Sequence, residues 1–153
     1  MRTTLKKDER GAALIETAIT IPIILLISVG IFEFGKAYQT SQVLVNAARE
    51  GARQAILADK TDADVIAVVE KYMKDGGLPC VGDNPPAAAK CSGSANVLIN
   101  RTVALGTNTA SQIDIQYPFN FMVLNPVVRM VTPASKTGEA ITMKSTALMR
   151  NEG

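Results

Sequence analysis

The chain has 153 residues, of which 47% are hydrophobic and 20% charged, and its formal net charge is +2. This length accommodates one domain and an anchor, and the small net charge argues against nucleic-acid binding. Histidine and tryptophan are absent and only two cysteines occur, which excludes imidazole acid–base chemistry and most zinc, copper and non-haem iron sites. We therefore expect no enzymatic activity, no cofactor, no metal and no small-molecule substrate.

The chain begins with a short basic leader, residues 1–11. Basic residues outnumber acidic ones in it, with Arg2, Lys6, Lys7 and Arg10 against Asp8 and Glu9. Lys and Arg beside a membrane segment mark the cytoplasmic side. The leader therefore predicts a cytoplasmic N-terminus and an exported C-terminal part, and an ordinary secretory signal would predict the same export.

An apolar stretch over residues 12–34 follows the leader. Residues 12–32 are all apolar or small except Glu16, Thr17 and Thr20. A helix of this length spans about 30 Å, the thickness of a bilayer core. Pro22 lies inside it and predicts a helix kink, which membrane helices tolerate better than soluble ones. We predict a transmembrane helix over residues 12–34.

Glu16 is the anomaly of this stretch. A lone carboxylate in a membrane helix costs about 2.5–3.5 kcal/mol at the bilayer centre and less near an interface, and a disposable signal peptide does not need one. The alternative is signal-peptidase cleavage after Gly30, because Ser28 and Gly30 are small residues at suitable positions. That alternative leaves Glu16 unexplained, and the apolar pattern continues past Gly30 to Phe34.

The residues around Gly11 resemble a prepilin cleavage site. Arg10-Gly11 is followed by AALIE, which puts Glu16 five residues beyond the glycine. More widely, residues 11–38 and the segment LVNAAREGARQAI are similar to the TadE family, the pilin-like proteins of tight-adherence (Flp) pilus systems. The similarity is dense over residues 10–57 and weaker at 117–119 and 146–150. Pro22, Glu33 and Gly35 also match the family's pattern.

This resemblance implies that a prepilin peptidase cleaves between Gly11 and Ala12. It also implies that Glu16 pairs with the N-terminal amine of a neighbouring pilin-like subunit. Within one chain, the amine that cleavage leaves on Ala12 and the Glu16 carboxylate lie about one helical turn apart, on the same face near the membrane surface. The implied partners are the peptidase, other pilin-like subunits, the inner-membrane assembly platform and membrane lipid. A glutamate that only reaches the water interface is the alternative.

Beyond the anchor, residues 35–58 are predicted to continue the helix. Its apolar stripe contains Ala37, Ser41, Ala48, Ala52 and Ala55, and it is widened into an apolar face by Val43, Leu44, Ala47 and Ile56. Arg49, Glu50 and Arg53 lie mostly on the other side, with Glu50 and Arg53 as an i,i+3 pair. A second helix is predicted to begin at the cap Thr61 and to end at Gly76-Gly77. Its predicted apolar face contains Val65, Ile66, Val68, Val69, Tyr72 and Met73.

Residues 78–95 are rich in Pro, Gly, Ser and Ala and predict a loop. Cys80 and Cys91 bracket it. In an exported domain, two cysteines eleven positions apart predict one disulfide, which the chain-entropy estimate values at about 3 kcal/mol. A metal site or a redox pair is disfavoured, because further ligands and the Cys-x-x-Cys spacing are lacking.

The remaining chain alternates apolar and polar residues and predicts strands at 97–105, 112–117 and 140–149. The connection at 118–128 is unusually apolar, and we favour a core role over an interface role for it. The expected fold is α+β and pilin-like. A long N-terminal helix packs its second half on a small antiparallel sheet, and residues 35–153 form the exported domain.

Three functions are compatible with this sequence. The favoured one is a non-enzymatic minor pilin or pseudopilin that acts in pilus biogenesis and adherence at the bacterial inner membrane. The second is a single-pass membrane protein whose exported domain binds a partner without entering a filament. The third is an exported enzyme, which the residue inventory disfavours. Gly11 and Glu16 separate the first from the second, because a plain anchor needs neither.

Overall fold

The chain folds into two helices and one antiparallel sheet, as predicted for an α+β protein. The structure is a computed structural model that describes residues 9–78, 89–91, 95–106, 108–123, 126 and 140–151. Its elements are α1 (Glu9–Ala55), α2 (Asp62–Asp75), β1 (Ala89–Cys91), β2 (Ala95–Leu105), β3 (Asn108–Phe119) and β4 (Ile141–Arg150).

The sheet is an antiparallel meander in the order β1-β2-β3-β4. Ile113 at its centre lies opposite Ile99 of β2 and Ala147 of β4. The three main strands match the predicted positions, although β3 is longer than expected and includes Pro118 and Phe119. The short strand β1 falls in the stretch predicted as a loop, where it pairs with the start of β2.

The second half of α1, residues 33–55, contacts α2 and the strands β3 and β4. We call it the packed half. Its buried stripe contains Leu44, Ala47, Ala48, Gly51, Ala52 and Ala55, which confirms most of the predicted stripe. Small residues there let neighbouring elements come close, since a Cβ on Gly51 would lie only 2.6 Å from Val69 Cγ2 of α2. Ser41 was predicted to be buried and is exposed; the buried position is Thr40.

Helix α2 begins and ends where the sequence predicts. Four residues of its predicted apolar face are buried, whereas Val68 is half-buried and Tyr72 is exposed. Thr61 is its N-cap and forms a capping box with Asp64. The Asp64 backbone N–H donates to the Thr61 hydroxyl, and the Thr61 backbone N–H and hydroxyl donate to the Asp64 carboxylate. These hydrogen bonds from the Thr61 backbone and side chain hold the pKa of Asp64 below its ordinary value. At the other end Gly77 adopts φ +77°, and Leu78 N–H donates to the Met73 carbonyl at 2.8 Å, as in a Schellman motif.

Arg101 of β2 joins the sheet to the end of α1 and to the connection between the two helices. Its guanidinium donates to the carbonyls of Ala55 and Lys60, both at 2.9 Å, and to Asp62 at 2.7 Å. Ala55 is the last residue of α1, so the arginine supplies a donor to a carbonyl that a helix end leaves unpaired. The helix ends at Ala55, three residues before the predicted Ala58.

Candidate functional site

The first half of α1, residues 11–32, carries large apolar side chains exposed on every side. We call it the exposed half. The large apolar side chains that are more than half exposed are Leu14, Ile15, Ile19, Ile21, Ile23, Ile24, Leu25, Leu26, Ile27, Ile31 and Phe32. A helix of a soluble protein shows a polar face opposite its apolar one. Among the described residues, α1 is the one helix long and apolar enough to cross a membrane.

The hydroxyl groups of the exposed half are paired within the helix. Thr17, Thr20 and Ser28 each donate to the carbonyl four residues earlier, at 2.8, 2.7 and 2.8 Å. A hydroxyl in hydrocarbon needs such a partner, because an unpaired polar group there costs several kcal/mol. These three side chains are therefore compatible with a lipid environment.

The predicted processing residues lie at the start of α1. Gly11 and Ala12 are in its first turn, and Glu16 follows about one turn later with an exposed side chain. Among the side chains that the structure describes, none donates a hydrogen bond to the Glu16 carboxylate. Pro22 lies inside the continuous helix, and the kink there stays a prediction.

Glu33 begins the packed half and is fully buried. Its carboxylate accepts hydrogen bonds from the backbone N–H of Met122, at 3.1 Å, and of Val123. Hydrogen bonds to a charged group are roughly twice as strong as neutral ones, and a buried carboxylate needs them to offset desolvation. Glu33 thereby fixes residues 120–123, which we call the Glu33-bound segment, to the point where the exposed half ends.

Three phenylalanines support this contact. The ring of Phe121 meets those of Phe34 and Phe119 edge to face, with centroid distances of 6.1 and 5.2 Å. Phe119 is buried, whereas Met122 is 62% and Val123 40% exposed. The core role predicted for the 118–128 connection is thus correct for Phe119 and wrong for Met122 and Val123. Residues 124, 125, 127 and 128 lie outside the described part of the chain.

The partner of Glu33 escaped the sequence analysis. A glutamate between Phe32 and Phe34 at the end of an apolar run was a usable signal, since a carboxylate there needs a donor. The donors lie 89 and 90 residues later in the chain. No local spacing rule connects positions so far apart, so only the fold identifies them.

A groove of about 510 Å³ lies beside the packed half. Its lining includes Arg49, Glu50, Arg53, Tyr72 and Met149. Hydrogen bonds from Arg53 to Glu50, at 2.6 to 3.1 Å, lower the pKa of the Glu50 carboxyl against the opposing effect of burial. The same contact raises the pKa of Arg53. The predicted i,i+3 pair of Glu50 and Arg53 is confirmed as an ion pair.

The predicted disulfide falls largely outside the described structure. Cys80 is not described, and of Cys91 only the position in β1 is described. The Cys80–Cys91 bond stays a prediction. Within the described ranges, no three His, Cys, Asp or Glu side chains lie close enough together to hold a metal ion.

The fold and the site define an α+β protein whose long helix offers a candidate N-terminal membrane anchor and continues into the core. Residues 11–53 match the family model described as TadE-like protein, so the predicted resemblance of this segment is confirmed. The match covers the exposed half and all but the last two residues of the packed half. No curated protein and no solved structure was found to match the chain.

Proposed function

We propose that the chain is a pilin-like subunit, a minor pilin or pseudopilin, of a tight-adherence (Flp/Tad) pilus system. The observation that carries this proposal is the TadE-like match, which begins at Gly11 and includes Glu16. A prepilin peptidase cleaves after Gly11, and the exposed half of α1 anchors the mature protein in the bacterial inner membrane. The basic leader lies in the cytoplasm, and residues 35–153 are exported.

Cleavage and the position of Glu16 together provide an assembly signal. The new amine on Ala12 is positively charged at neutral pH, and Glu16 lies about one helical turn away. Left unpaired inside a bilayer, the carboxylate costs up to about 2.5–3.5 kcal/mol. Pairing with the Ala12 amine of a neighbouring subunit removes this cost only in the correct register. The other partners are the assembly platform and the surrounding lipid.

N-terminal sequencing tests the processing step. The full chain is coexpressed with its cognate prepilin peptidase, and a product that starts at Ala12 is expected. Gly11→Val is expected to block cleavage, and the matched variant Gly30→Val is expected to leave it unchanged. A product that starts at Ile31, or an intact Met1 in the presence of active peptidase, would overturn the proposal. An intact, membrane-anchored chain would favour the partner-binding alternative.

A second experiment tests the assembly role of Glu16. Glu16→Ala is expected to remain anchored and cleaved but to impair pilus assembly and adherence. Thr17→Ala is the matched control, because it changes the adjacent exposed side chain and leaves the carboxylate in place. Normal assembly of the Glu16→Ala protein would refute the pairing role.

A further inference from the structure

Exposed apolar side chains gather at the end of the sheet nearest to the exposed half of α1. Met122 and Val123 are 62% and 40% exposed, and Ile141 at the start of β4 is 52% exposed. Ile141 lies opposite Phe119 in the sheet register, so all three flank the phenylalanine cluster. This apolar surface is continuous with Phe34 of α1, which contacts Phe121.

The position of this surface along α1 corresponds to the edge of a bilayer. The exposed apolar side chains run from Leu14 to Phe34, a helical rise of about 30 Å, which equals the thickness of the hydrocarbon core. Phe34 therefore lies where the hydrocarbon ends. The ring of Phe121 is 6.1 Å from that of Phe34, which puts the Glu33-bound segment at the same depth.

The next helical turn has the residues typical of a membrane interface. Lys36 and Tyr38 are both exposed, and Tyr38 is 68% exposed despite its ring. Tyrosine is enriched at the headgroup level, and lysine extends its charge to the interface. Both lie just beyond Phe34, on the side away from the apolar stretch.

Two backbone N–H groups of the Glu33-bound segment are paired, as a water-poor environment requires. A loop cannot enter the hydrocarbon boundary with unpaired N–H groups, because no water is available to bond them. Here the N–H groups of Met122 and Val123 are both taken by the Glu33 carboxylate. Their side chains remain exposed and apolar, so Met122 and Val123 expose apolar side chains while their backbone donors are bonded to Glu33.

We propose that the Glu33-bound segment is a membrane-surface contact, in which Met122 and Val123 insert into the interface of the exported-side leaflet. This inference rests on the membrane anchor of the proposed function and adds a second point of attachment to the same bilayer. Glu33 is the positioning residue, because it joins the segment to the helix. With two contacts, the exported domain is held at a fixed orientation to the membrane rather than swinging on α1.

Single-tryptophan fluorescence tests this contact, because the chain has no tryptophan of its own. Met122→Trp reports on the proposed contact. Leu105→Trp is the matched control, since Leu105 is also exposed and lies at the far end of β2. Ile24→Trp reports on the anchor. Each full-length variant is reconstituted into phosphatidylcholine–phosphatidylglycerol vesicles with lipids brominated either near the headgroup or deep in the acyl chain.

We expect shallow bromines to quench the Met122→Trp emission roughly twofold, since an interfacial side chain lies at the headgroup–acyl boundary. Deep bromines are expected to quench Ile24→Trp most, and neither lipid is expected to quench Leu105→Trp. Quenching of Ile24→Trp without quenching of Met122→Trp would overturn the contact and leave the anchor intact. If Ile24→Trp is not quenched either, the anchor itself fails. Blue-shifted but unquenched emission at position 122 would mean a protein cover instead of lipid, which also overturns the contact.

Glu33 variants test the positioning role. Glu33→Ala combined with Met122→Trp is expected to lose most of the quenching by shallow bromines. Glu33→Gln retains one acceptor oxygen and is expected to retain part of that quenching. Circular dichroism and Leu105→Trp emission in the same backgrounds confirm that the sheet is still folded. Unchanged quenching in a folded Glu33→Ala protein would show that Glu33 does not position the segment.

Discussion

The two halves of α1 solve opposite packing problems within one continuous helix. The exposed half is built from large isoleucine and leucine side chains that nothing in the described chain covers. The packed half buries mainly alanine and glycine against α2 and the sheet. Large side chains suit a fluid lipid environment that adapts to any shape, whereas small ones let a rigid sheet and a second helix approach the backbone.

This contrast separates hydrophobicity from burial. The exposed half is the more apolar of the two and yet its large side chains are exposed, so its apolar character fits a helix that could span a membrane rather than a core helix. The packed half is less apolar and carries the core. Glu33 lies at the boundary and links the two environments through the Glu33-bound segment.

The largest expected effect comes from one substitution made in both halves. Leu44 is 1% exposed and Leu25 is 59% exposed in the same helix. Leu44→Ala removes buried methyl groups and leaves a cavity, so we expect it to lower the free energy of unfolding of the domain by about 2–5 kcal/mol. Urea-dependent hydrogen exchange at the β3 amides, measured on the full chain in vesicles, reports this loss.

Leu25→Ala is the matched control for Leu44→Ala. It removes the same atoms from a side chain that is 59% exposed, so the exchange of β3 amides is expected to stay unchanged. Equal losses from both substitutions would break the comparison, because the exposed half would then belong to the folded core.

The second prediction tests membrane insertion by placing a charge in the exposed half. Leu25→Arg puts a cation near the centre of the proposed membrane segment, at a cost of about 2.5–3.5 kcal/mol in membrane insertion. We expect a large decrease in the fraction of chain that resists alkaline extraction from membranes. Gln42→Arg, at an exposed position of the packed half, is expected to leave that fraction unchanged. Normal insertion of Leu25→Arg would contradict a membrane role for the exposed half.

A smaller effect distinguishes two glycines of α1. A Cβ at Gly51 would lie 2.6 Å from Val69 Cγ2, whereas a Cβ at Gly30 meets nothing within 4 Å. Overpacking costs about 1–3 kcal/mol, and better helix propensity returns about 1 kcal/mol. Gly51→Ala is therefore expected to lower the urea midpoint of the domain modestly. Gly30→Ala is expected not to lower it, and a lower midpoint in that variant would reveal a close neighbour of the exposed half.

The features predicted correctly from the sequence are those with a local cause. The apolar run of α1, the Thr61 cap, the Gly76-Gly77 stop and the alternation of β3 all follow from residues close together in the chain. The three contacts that sequence analysis missed join distant residues. They are Glu33 with the segment after β3, Arg101 with the end of α1, and β1 with β2.

The miss at Ser41 has a different physical origin. Hydropathy defines the buried side of a helix only approximately where small residues such as alanine, serine and threonine lie close together. The buried face passes through Thr40 and Leu44 and not through Ser41. The elements packed on the helix decide which of two adjacent small residues is buried, and the helix sequence alone does not encode their position.

The smallest expected effect concerns the polar face of the packed half. Arg53 lowers the pKa of the Glu50 carboxyl in the folded protein, so the pair stabilises the fold above the unfolded-state pKa of about 4.3. That contribution is lost as the pH falls through the lower pKa of the folded state. Arg53→Gln should therefore flatten the pH dependence of the unfolding midpoint below about pH 4. Arg49→Gln removes the same charge without touching the hydrogen bonds to Glu50, and is the control.

The salt dependence of the Arg53→Gln effect shows whether the polar face of the packed half is exposed to water. An ion pair that faces water weakens as salt is added, because the Debye length falls from about 10 Å at 0.1 M to about 3 Å at 1 M. We expect the difference between the original chain and Arg53→Gln to be small and to shrink in high salt. A large difference that salt leaves unchanged would mean that this face is covered in the working protein. The packed half would then carry an interface opposite its core, in addition to the proposed membrane contact of the exposed half.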